Sequence, residues 1–241
     1  MMRAVISAAG VSHSFDTGPT PVTVLQNIDL DVYGGELLML VGPSGSGKTT
    51  LLHILGRLLS PTTGVVTLYG ANTQSLAEEE LAALRLKYFG FIFQSYNLFP
   101  VLTATENVMV MLDLLGAPRK IAKDRACELL KSVGLGQRLD SYPSQLSSGQ
   151  RQRVAIARAL AGDPKIVMAD EPTAALDSES GLRAIELLQM LAHQQERAVV
   201  VVTHDPRILQ FADRVIHLED GQISERSDMG RNCAAQAVGV P

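Results

Sequence analysis

The stretch LVGPSGSGKTT, residues 40–50, decides the fold because it joins an apolar run directly to a glycine-rich turn. Residues 42–49 fit the pattern G-x-x-x-x-G-K-[ST], whose backbone N–H groups cradle phosphates. Glycines let the turn bring several N–H groups to one side, and the helix predicted to begin near Lys48 adds its free N–H groups and positive dipole end. The predicted phosphate-binding residues are Gly42, Pro43, Ser44, Gly45, Ser46, Gly47, Lys48, Thr49 and Thr50.

Two side chains of this loop have predicted roles of their own. Lys48 can reach the β- and γ-phosphates of a nucleotide, and the Thr49 hydroxyl can bind Mg²⁺. A Gly/Ser-rich loop that ends in lysine by chance would need neither a strand before it nor a helix after it, and both are predicted here. By itself, the loop indicates binding of a nucleotide phosphate and not what is done with it.

Composition limits the classes of protein to which the chain could belong. It has 241 residues, of which 46% are hydrophobic, enough for one sizeable core or a core with a subdomain. The net charge of −4 argues against a surface that binds nucleic acid. No apolar run approaches the roughly 18 residues of a membrane helix, and residues 1–15 turn polar too soon for a signal-peptide core. Cys127 and Cys233 lack metal-ligand spacing and are expected to be reduced thiols.

Apolar periodicity places the loop in an α/β protein. Residues 3–41 and 64–70 are predicted to form strands, and residues from about 76 to 162 carry apolar side chains at the three- and four-residue spacing of helices. The runs at 165–170 and 198–203 are continuously apolar, which is typical of strands buried on both faces of a parallel sheet. The pattern therefore indicates a nucleotide-binding core with an inserted helical segment.

A second motif, KIVMADEPT at 165–173, places two carboxylates where a predicted strand ends. Because the carboxyl ends of parallel strands form the ligand-binding edge of such a sheet, Asp170 would face the phosphate loop and hold Mg²⁺, through water. Glu171 could polarise a water in line with the γ-phosphate. In isolation the two residues could also simply end a strand before the turn at Pro172, but the upstream phosphate loop favours the catalytic interpretation.

A third motif, QLSSGQRQRVAIARAL at 145–160, resembles the signature of ATP-binding cassette ATPases, usually written L-S-G-G-Q and followed by a basic, alanine-rich helix. A helix N-terminus with serine and glycine is an anion site, although an ordinary N-capped helix would have similar residues. In that family each ATP lies between the phosphate loop of one subunit and the signature of the other, in a head-to-tail dimer. The residues matching the signature are Leu146, Ser147, Ser148, Gly149 and Gln150.

The resemblance covers about residues 3–225, with its motifs in the expected order. It implies that Phe15 stacks on adenine, that Gln94 senses Mg²⁺ and the γ-phosphate, that Asp177 crosses the dimer interface in the segment AALD, and that His204 contacts the γ-phosphate. Taken singly, Phe15 could belong to the core, Gln94 to the surface and His204 to a strand end. The catalytic residues implied are Glu171, His204, Lys48 and Gln94, and the Mg²⁺ site implied is Thr49, Gln94 and Asp170.

The resemblance also implies a fold and its division. The expected fold class is α/β, a P-loop NTPase (RecA-like) core with a mixed sheet, an N-terminal antiparallel β subdomain and an inserted α-helical subdomain. We expect residues 1–84 and 163–222 to form the core, and residues 85–162 to form the helical subdomain with the signature. Residues 223–241 lack a usable period and are expected to form a flexible C-terminal tail.

Ser148 departs from the family pattern, since it occupies the place of the first signature glycine. Serine suits the start of a helix, so we expect function to be retained. If the position required a positive φ, or close approach of backbone to nucleotide, serine would weaken the signature.

The implied function is that of the ATP-binding and ATP-hydrolysing subunit of an ABC transporter. It would form an ATP-dependent homodimer and drive a separate integral membrane permease of the MacB/FtsX-like type at the cytoplasmic face of the cell membrane, touching the membrane only through that permease. The motifs look like the branch with the lipoprotein-release, MacB-type, haem-export and glycolipid-export (DevA-type) ATPases, the last two looking nearest, which favours export or extraction of a hydrophobic substrate.

Other functions stay open at this point. An importer ATPase would have similar length. A cassette ATPase acting on DNA or ribosomes would usually carry a coiled coil or a second cassette, and a small-molecule kinase would need neither the signature nor His204. Within the transporter interpretation, Tyr96, Leu98 and Phe99 are expected to offer exposed apolar side chains to a helix of the permease.

Overall fold

The computed structural model describes residues 4–16, 18 and 20–228. The strands in this part of the chain are β1 (Ala4–Phe15), β2 (Val22–Tyr33), β3 (Leu37–Val41), β4 (Thr63–Leu68), β5 (Ala71–Asn72), β6 (Phe89–Ile92), β7 (Ile166–Asp170), β8 (Ala198–Val202), β9 (Arg214–Glu219) and β10 (Gln222–Asp228). The helices are α1 (Lys48–Leu55), α2 (Glu78–Tyr88), α3 (Ala104–Leu114), α4 (Arg119–Ser132), α5 (Ser148–Leu160) and α6 (Ser178–Gln195). Short 3₁₀ turns lie at Pro143–Gln145 and Pro206–Phe211.

The main sheet has the strand order β10-β9-β3-β8-β7-β6. Its strands run parallel except β10, which is antiparallel to β9, so the sheet is mixed as expected. All five residues of β3 are buried. Leu38 and Leu40 join the cluster on one face, whereas Leu37 and Met39 join the cluster on the other. Burial on both faces explains why this strand and β8 are continuously apolar.

The second sheet is antiparallel and has the strand order β2-β1-β4-β5. Its inward side chains, such as Ile28 and Leu30, pack in one cluster with Leu51 and Leu55 of α1 and with Leu38 of the main sheet. The antiparallel sheet therefore covers α1 and one face of the core. This confirms the predicted antiparallel N-terminal subdomain.

The opposite face of the main sheet carries the helical part of the protein. Val108 of α3, Leu130 of α4 and Val154 of α5 are fully buried and belong to one cluster with Val199 and Val201 of β8. The helical insertion is therefore confirmed. Among the described helices, none is both long and apolar enough to cross a lipid bilayer.

Two predicted boundaries are wrong. Residues 89–92, placed in the helical subdomain, form β6, which pairs in parallel with β7 inside the main sheet. The tail predicted from residue 223 begins with six residues of β10, paired antiparallel with β9. A four-residue strand is too short to show a period, and the edge strand β10 is mostly exposed, so it carries no apolar alternation. Residues 229–241 of the predicted tail lie outside the described residues.

Candidate nucleotide site

Four loops meet at one edge of the main sheet because β3, β8, β7 and β6 are parallel and end there. β3 leads into the phosphate loop, residues 42–49, and β8 leads to His204. β7 ends on Asp170, followed by Glu171, and β6 is followed by the turn that contains Gln94. The parallel sheet thus collects residues that are far apart in sequence.

The phosphate loop has the backbone geometry that its glycines were predicted to allow. Gly42, Gly45 and Gly47 all have positive φ, and α1 begins immediately afterwards. Side chains are excluded at Gly47, because a Cβ built there would lie 2.7 Å from Leu25 Cδ2. Ser46 is 3% exposed and its hydroxyl has no hydrogen-bond partner, so this loop holds a buried polar group that a phosphate oxygen would satisfy.

The Lys48 side chain folds back onto the phosphate loop. It is 8% exposed, and its ammonium group donates hydrogen bonds to the carbonyl oxygens of Gly42 (2.9 Å) and Pro43 (2.7 Å). The loop curls around the ammonium group and presents these two carbonyls to it. Lys48 therefore closes the loop as well as carrying its positive charge.

Thr49 and Asp170 meet at the same edge. The Thr49 hydroxyl donates to Asp170 Oδ1 at 3.0 Å across 121 residues of sequence. Hydroxyl and carboxylate oxygens are the ligands that Mg²⁺ prefers, usually in company with waters and phosphate oxygens. The pair fits the predicted metal site, with room for the remaining ligands because Thr49 is exposed.

Glu171 has a different partner from its neighbour Asp170. Its Oε1 lies 2.8 Å from Nδ1 of His204, and its side chain is 13% exposed whereas that of His204 is 67% exposed. The backbone of Glu171 has a φ of 46°, an uncommon conformation that its N–H bond to the Val202 carbonyl helps to hold. A carboxylate that is oriented by a histidine at the edge of the phosphate loop can act as a general base toward water.

Gln94 is exposed in the turn after β6. The segment that follows is held by Arg158 of α5, which donates to the carbonyls of Tyr96 (2.8 Å) and Asn97 (2.5 Å). Burial lowers the pKa of the Arg158 guanidinium.

Sequence reasoning missed Arg158, although an arginine inside the alanine-rich run AIARAL was a signal. Of the apolar side chains expected to be exposed here, Leu98 instead packs against the core.

Phe15 ends β1 and is 39% exposed. Its ring packs at 82° on the ring of His13, with centroids 4.6 Å apart. His13 is paired in the sheet with Leu25, and Leu25 touches the phosphate loop at Gly47. Phe15 therefore projects from a strand pair that also contacts the loop, as an adenine platform requires. Sequence reasoning missed His13.

The signature residues begin α5. Ser147 is the N-cap and accepts a hydrogen bond from the Gln150 N–H (3.2 Å), while Gln150 Oε1 accepts from the Ser147 N–H (2.9 Å). Ser148 is the first residue of the helix and has no positive φ, so serine fits here where the family pattern has glycine. Gly149 lies against α6, because a Cβ built on it would be 3.0 Å from Ser180 Oγ.

Asp177 caps α6 and accepts a hydrogen bond from the Ser180 N–H at 3.0 Å. This bond holds the pKa of the Asp177 carboxyl below its usual range. The signature and the start of α6 thus form one surface. Within the described part of the chain, no hydrogen bond joins residues 146–150 to residues 42–50 or to Glu171. The phosphate loop and the signature, both predicted to bind phosphate, therefore share no hydrogen bond within one described chain.

Comparison with known proteins agrees with this arrangement. A sequence model described as ABC transporter matches residues 25–174, more than half of the chain. The chain belongs to the ABC transporter family. It is an ATP-binding cassette ATPase of that family, related to the MacB exporters.

Several relatives cover most of the chain. It is 46% identical over 223 residues to the macrolide export ATP-binding/permease protein MacB of Shewanella sp., covering 92% of this chain and 34% of that protein. It is 46% identical over 222 residues to an ABC transporter ATP-binding protein of Thermotoga maritima, and the match covers 92% of this chain and 94% of that protein. The chain thus spans about a third of the length of its MacB relatives and nearly all of the Thermotoga protein.

A solved relative has the same fold. The ATP-binding cassette MJ0796 was solved as a dimer in a post-hydrolysis state bound to ADP and Pi, and it is 40% identical to this chain. The match has a TM-score of 0.88 and covers 93% of this chain and 99% of that one.

Proposed function

We propose that two copies of this chain bind two ATP molecules head to tail and hydrolyse them to drive a membrane permease that exports or extracts a hydrophobic substrate. One observation carries the dimer: the phosphate loop and the signature are both formed in one chain, yet they do not meet there. The cassette MJ0796 was also solved as a dimer, which supports a dimer here. A second chain would bring its Ser147 and Gly149 to the γ-phosphate held by the first.

The residues at the sheet edge divide the chemistry. Lys48 and the N–H groups of the loop would bind the β- and γ-phosphates, and Thr49 and Asp170 would hold Mg²⁺. The bound metal would neutralise charge on the phosphate oxygens. Glu171 would accept a proton from the water that attacks the γ-phosphorus, as the bond from phosphorus to the β–γ bridging oxygen breaks and ADP leaves. His204 lies 2.8 Å from Glu171 and would orient it, and the exposed edge of His204 would contact the γ-phosphate. Gln94 would contact both the metal and the water.

Hydrolysis at two different protein concentrations tests the dimer. Because each site needs two chains, the MgATP turnover per chain should rise with protein concentration. Ser147→Arg should remove that rise, since a long side chain at the signature would block the partner's γ-phosphate. A turnover per chain that stays constant from dilute to concentrated protein would show that one chain suffices.

An apolar groove between the core and the helical part supports the proposal that a permease binds this chain. It has a volume of about 550 Å³, and its lining is mostly apolar. Phe89, Phe91 and Phe93 stack along one side of β6 and the chain after it, with centroids 5.8 and 6.0 Å apart. Leu114 of α3, 63% exposed, lines the groove, as does the 46% exposed Phe99. An apolar helix from a permease would cover these side chains.

Co-purification in detergent with a co-expressed permease of the MacB/FtsX-like type tests whether the groove binds the permease. Leu114→Lys should reduce recovery of the permease, because the lysine would place a charge against its apolar helix. Ile121→Lys is a matched control, since Ile121 is 60% exposed on α4 and does not line the groove. Equal loss in both variants, or in neither, would exclude the groove as the docking site.

Export is supported by the relatives rather than by the site. MacB of Shewanella sp. and its counterparts in several other bacteria are macrolide export proteins. The classes of hydrophobic substrate that fit this branch are glycolipid, haem, lipoprotein and drug. Lipid analysis and haem absorbance of the co-purified complex would separate them, and a complex that carries none and transports inward would overturn the proposal of export.

A further inference from the structure

We propose that His13 is a positioning residue for nucleotide binding, because its imidazole ring sets the orientation in which Phe15 meets adenine. The inference rests on the proposed function, in which Phe15 stacks on the base. His13 and Phe15 lie two residues apart on β1, and their rings are in contact. Their rings are edge to face, at 82° and 4.6 Å, the geometry that aromatic pairs prefer.

The backbone at this point re-aims both side chains. The pairing of β1 with β2 shifts register on either side of His13, from Val11 opposite Ile28 to His13 opposite Leu25, then to Ser14 opposite Thr23. Such irregularities kink a strand and redirect its side chains. They also bring His13 opposite Leu25, whose side chain contacts the phosphate loop at Gly47. His13 therefore lies in the contact between the base platform and the phosphate loop.

His13 acts through its ring and not through a hydrogen bond. It is 7% exposed, and neither Nδ1 nor Nε2 has a hydrogen-bond partner. Burying two polar atoms without partners has a free-energy cost, so histidine is not the best core residue for this place. What it supplies is a flat, rigid side chain against the ring of Phe15, which is 39% exposed.

The experiment compares MgATP with Mg-tripolyphosphate, which has the phosphates but no base, by calorimetric titration of the full chain. His13→Leu fills most of the space without a flat ring. It should weaken MgATP binding about 3- to 10-fold, the range expected from loss of one aromatic pair. Binding of tripolyphosphate should stay unchanged. His13→Phe should restore MgATP binding, because the ring and not the nitrogens is needed.

Phe15→Leu separates failure of this inference from failure of the proposed adenine site. If Phe15→Leu leaves MgATP binding unchanged, Phe15 does not stack on adenine and the proposed site is wrong. If Phe15→Leu weakens MgATP alone while His13→Leu matches the original protein, only the inference about His13 is wrong. Equal weakening of MgATP and tripolyphosphate by His13→Leu, or no rescue by His13→Phe, would also overturn it.

Discussion

Two adjacent carboxylates show how much one residue position matters in this site. Asp170 is the last residue of β7 and accepts a hydrogen bond from Thr49, whereas Glu171 lies outside the strand with positive φ and contacts His204. The change of backbone direction between them separates the proposed metal ligand from the proposed general base. The amide variants of Asp170 and Glu171 should therefore lose different properties, metal-dependent binding in the first and hydrolysis in the second.

Glu171→Gln should lower the rate of ATP hydrolysis by about 10²–10⁴ while leaving MgATP affinity nearly unchanged, because the amide keeps size and hydrogen bonding but cannot take a proton. Asp170→Asn is the matched comparison and should lower Mg²⁺-dependent affinity instead. Turnover and equilibrium binding measured on both variants check this. The assignment fails if Glu171→Gln hydrolyses ATP at the original rate.

Lys48 illustrates a residue whose structural role only the structure shows. Lys48→Ala should sharply reduce MgATP affinity, because it removes a charge-assisted contact to phosphate. It should also lower the melting temperature of the nucleotide-free protein, since the carbonyls of Gly42 and Pro43 lose their donor. Lys48→Arg keeps the charge and serves as a control. Unchanged MgATP affinity in Lys48→Ala would show that this loop does not bind the nucleotide.

At the scale of elements, β6 and α5 lie close together where Gly90 of β6 faces the backbone of Ala159 in α5. A Cβ built on Gly90 would lie 2.3 Å from the Ala159 carbonyl oxygen, so the strand and the helix would have to separate. This contact holds α5, and with it the signature, against the main sheet. Parallel pairing with β7 places the FGFI segment in the main sheet although helices surround it in sequence.

Gly90→Ala should therefore lower the free energy of unfolding by about 1–3 kcal/mol, the usual effect of overpacking. Gly136→Ala is the control, because a Cβ there would meet only the flexible side chain of Lys131 at 3.2 Å. Urea denaturation of both variants measures the difference. Equal stability of the two would mean that α5 can shift away from β6 without cost.

At the scale of the whole molecule, the proposed arrangement requires a partner copy, whose signature completes the site at the phosphate loop. Without nucleotide the chain should sediment as a monomer. With MgATP, Glu171→Gln should accumulate as a dimer that holds two nucleotides, because binding proceeds and hydrolysis does not. Adding Ser147→Arg should abolish that dimer by blocking the partner's γ-phosphate.

Thr103→Arg is a matched control for this experiment. Thr103 caps α3 with Glu106 as Ser147 caps α5 with Gln150, so both changes remove a helix cap. Each such loss destabilises the chain by about 1 kcal/mol. Size exclusion with MgATP should show the Glu171→Gln dimer retained with Thr103→Arg and lost with Ser147→Arg. A dimer that survives Ser147→Arg, or a tight dimer without nucleotide, would contradict the head-to-tail arrangement.

The sequence by itself determined what depends on local pattern. The glycine spacing of residues 42–49 required a phosphate loop, and the continuous apolar runs of β3 and β8 required strands buried on both faces, because such features act within a few residues of the chain. Motif order was enough to predict the family, and the residues assigned to the site stay a prediction. The edge strand β10 was not predicted from the sequence. It is exposed, so its pairing with β9 and not an apolar alternation makes it a strand.

Only the tertiary structure decided which groups touch. The ammonium group of Lys48 donates hydrogen bonds to loop carbonyls. The ring of His13 contacts Phe15 edge to face, and its nitrogens have no hydrogen-bond partner. Arg158 reaches across about 60 residues of sequence to hold the chain after Gln94. These contacts depend on strand register, on helix approach and on the curl of a loop. Each of these is fixed by packing between distant segments, which no local pattern in the sequence records.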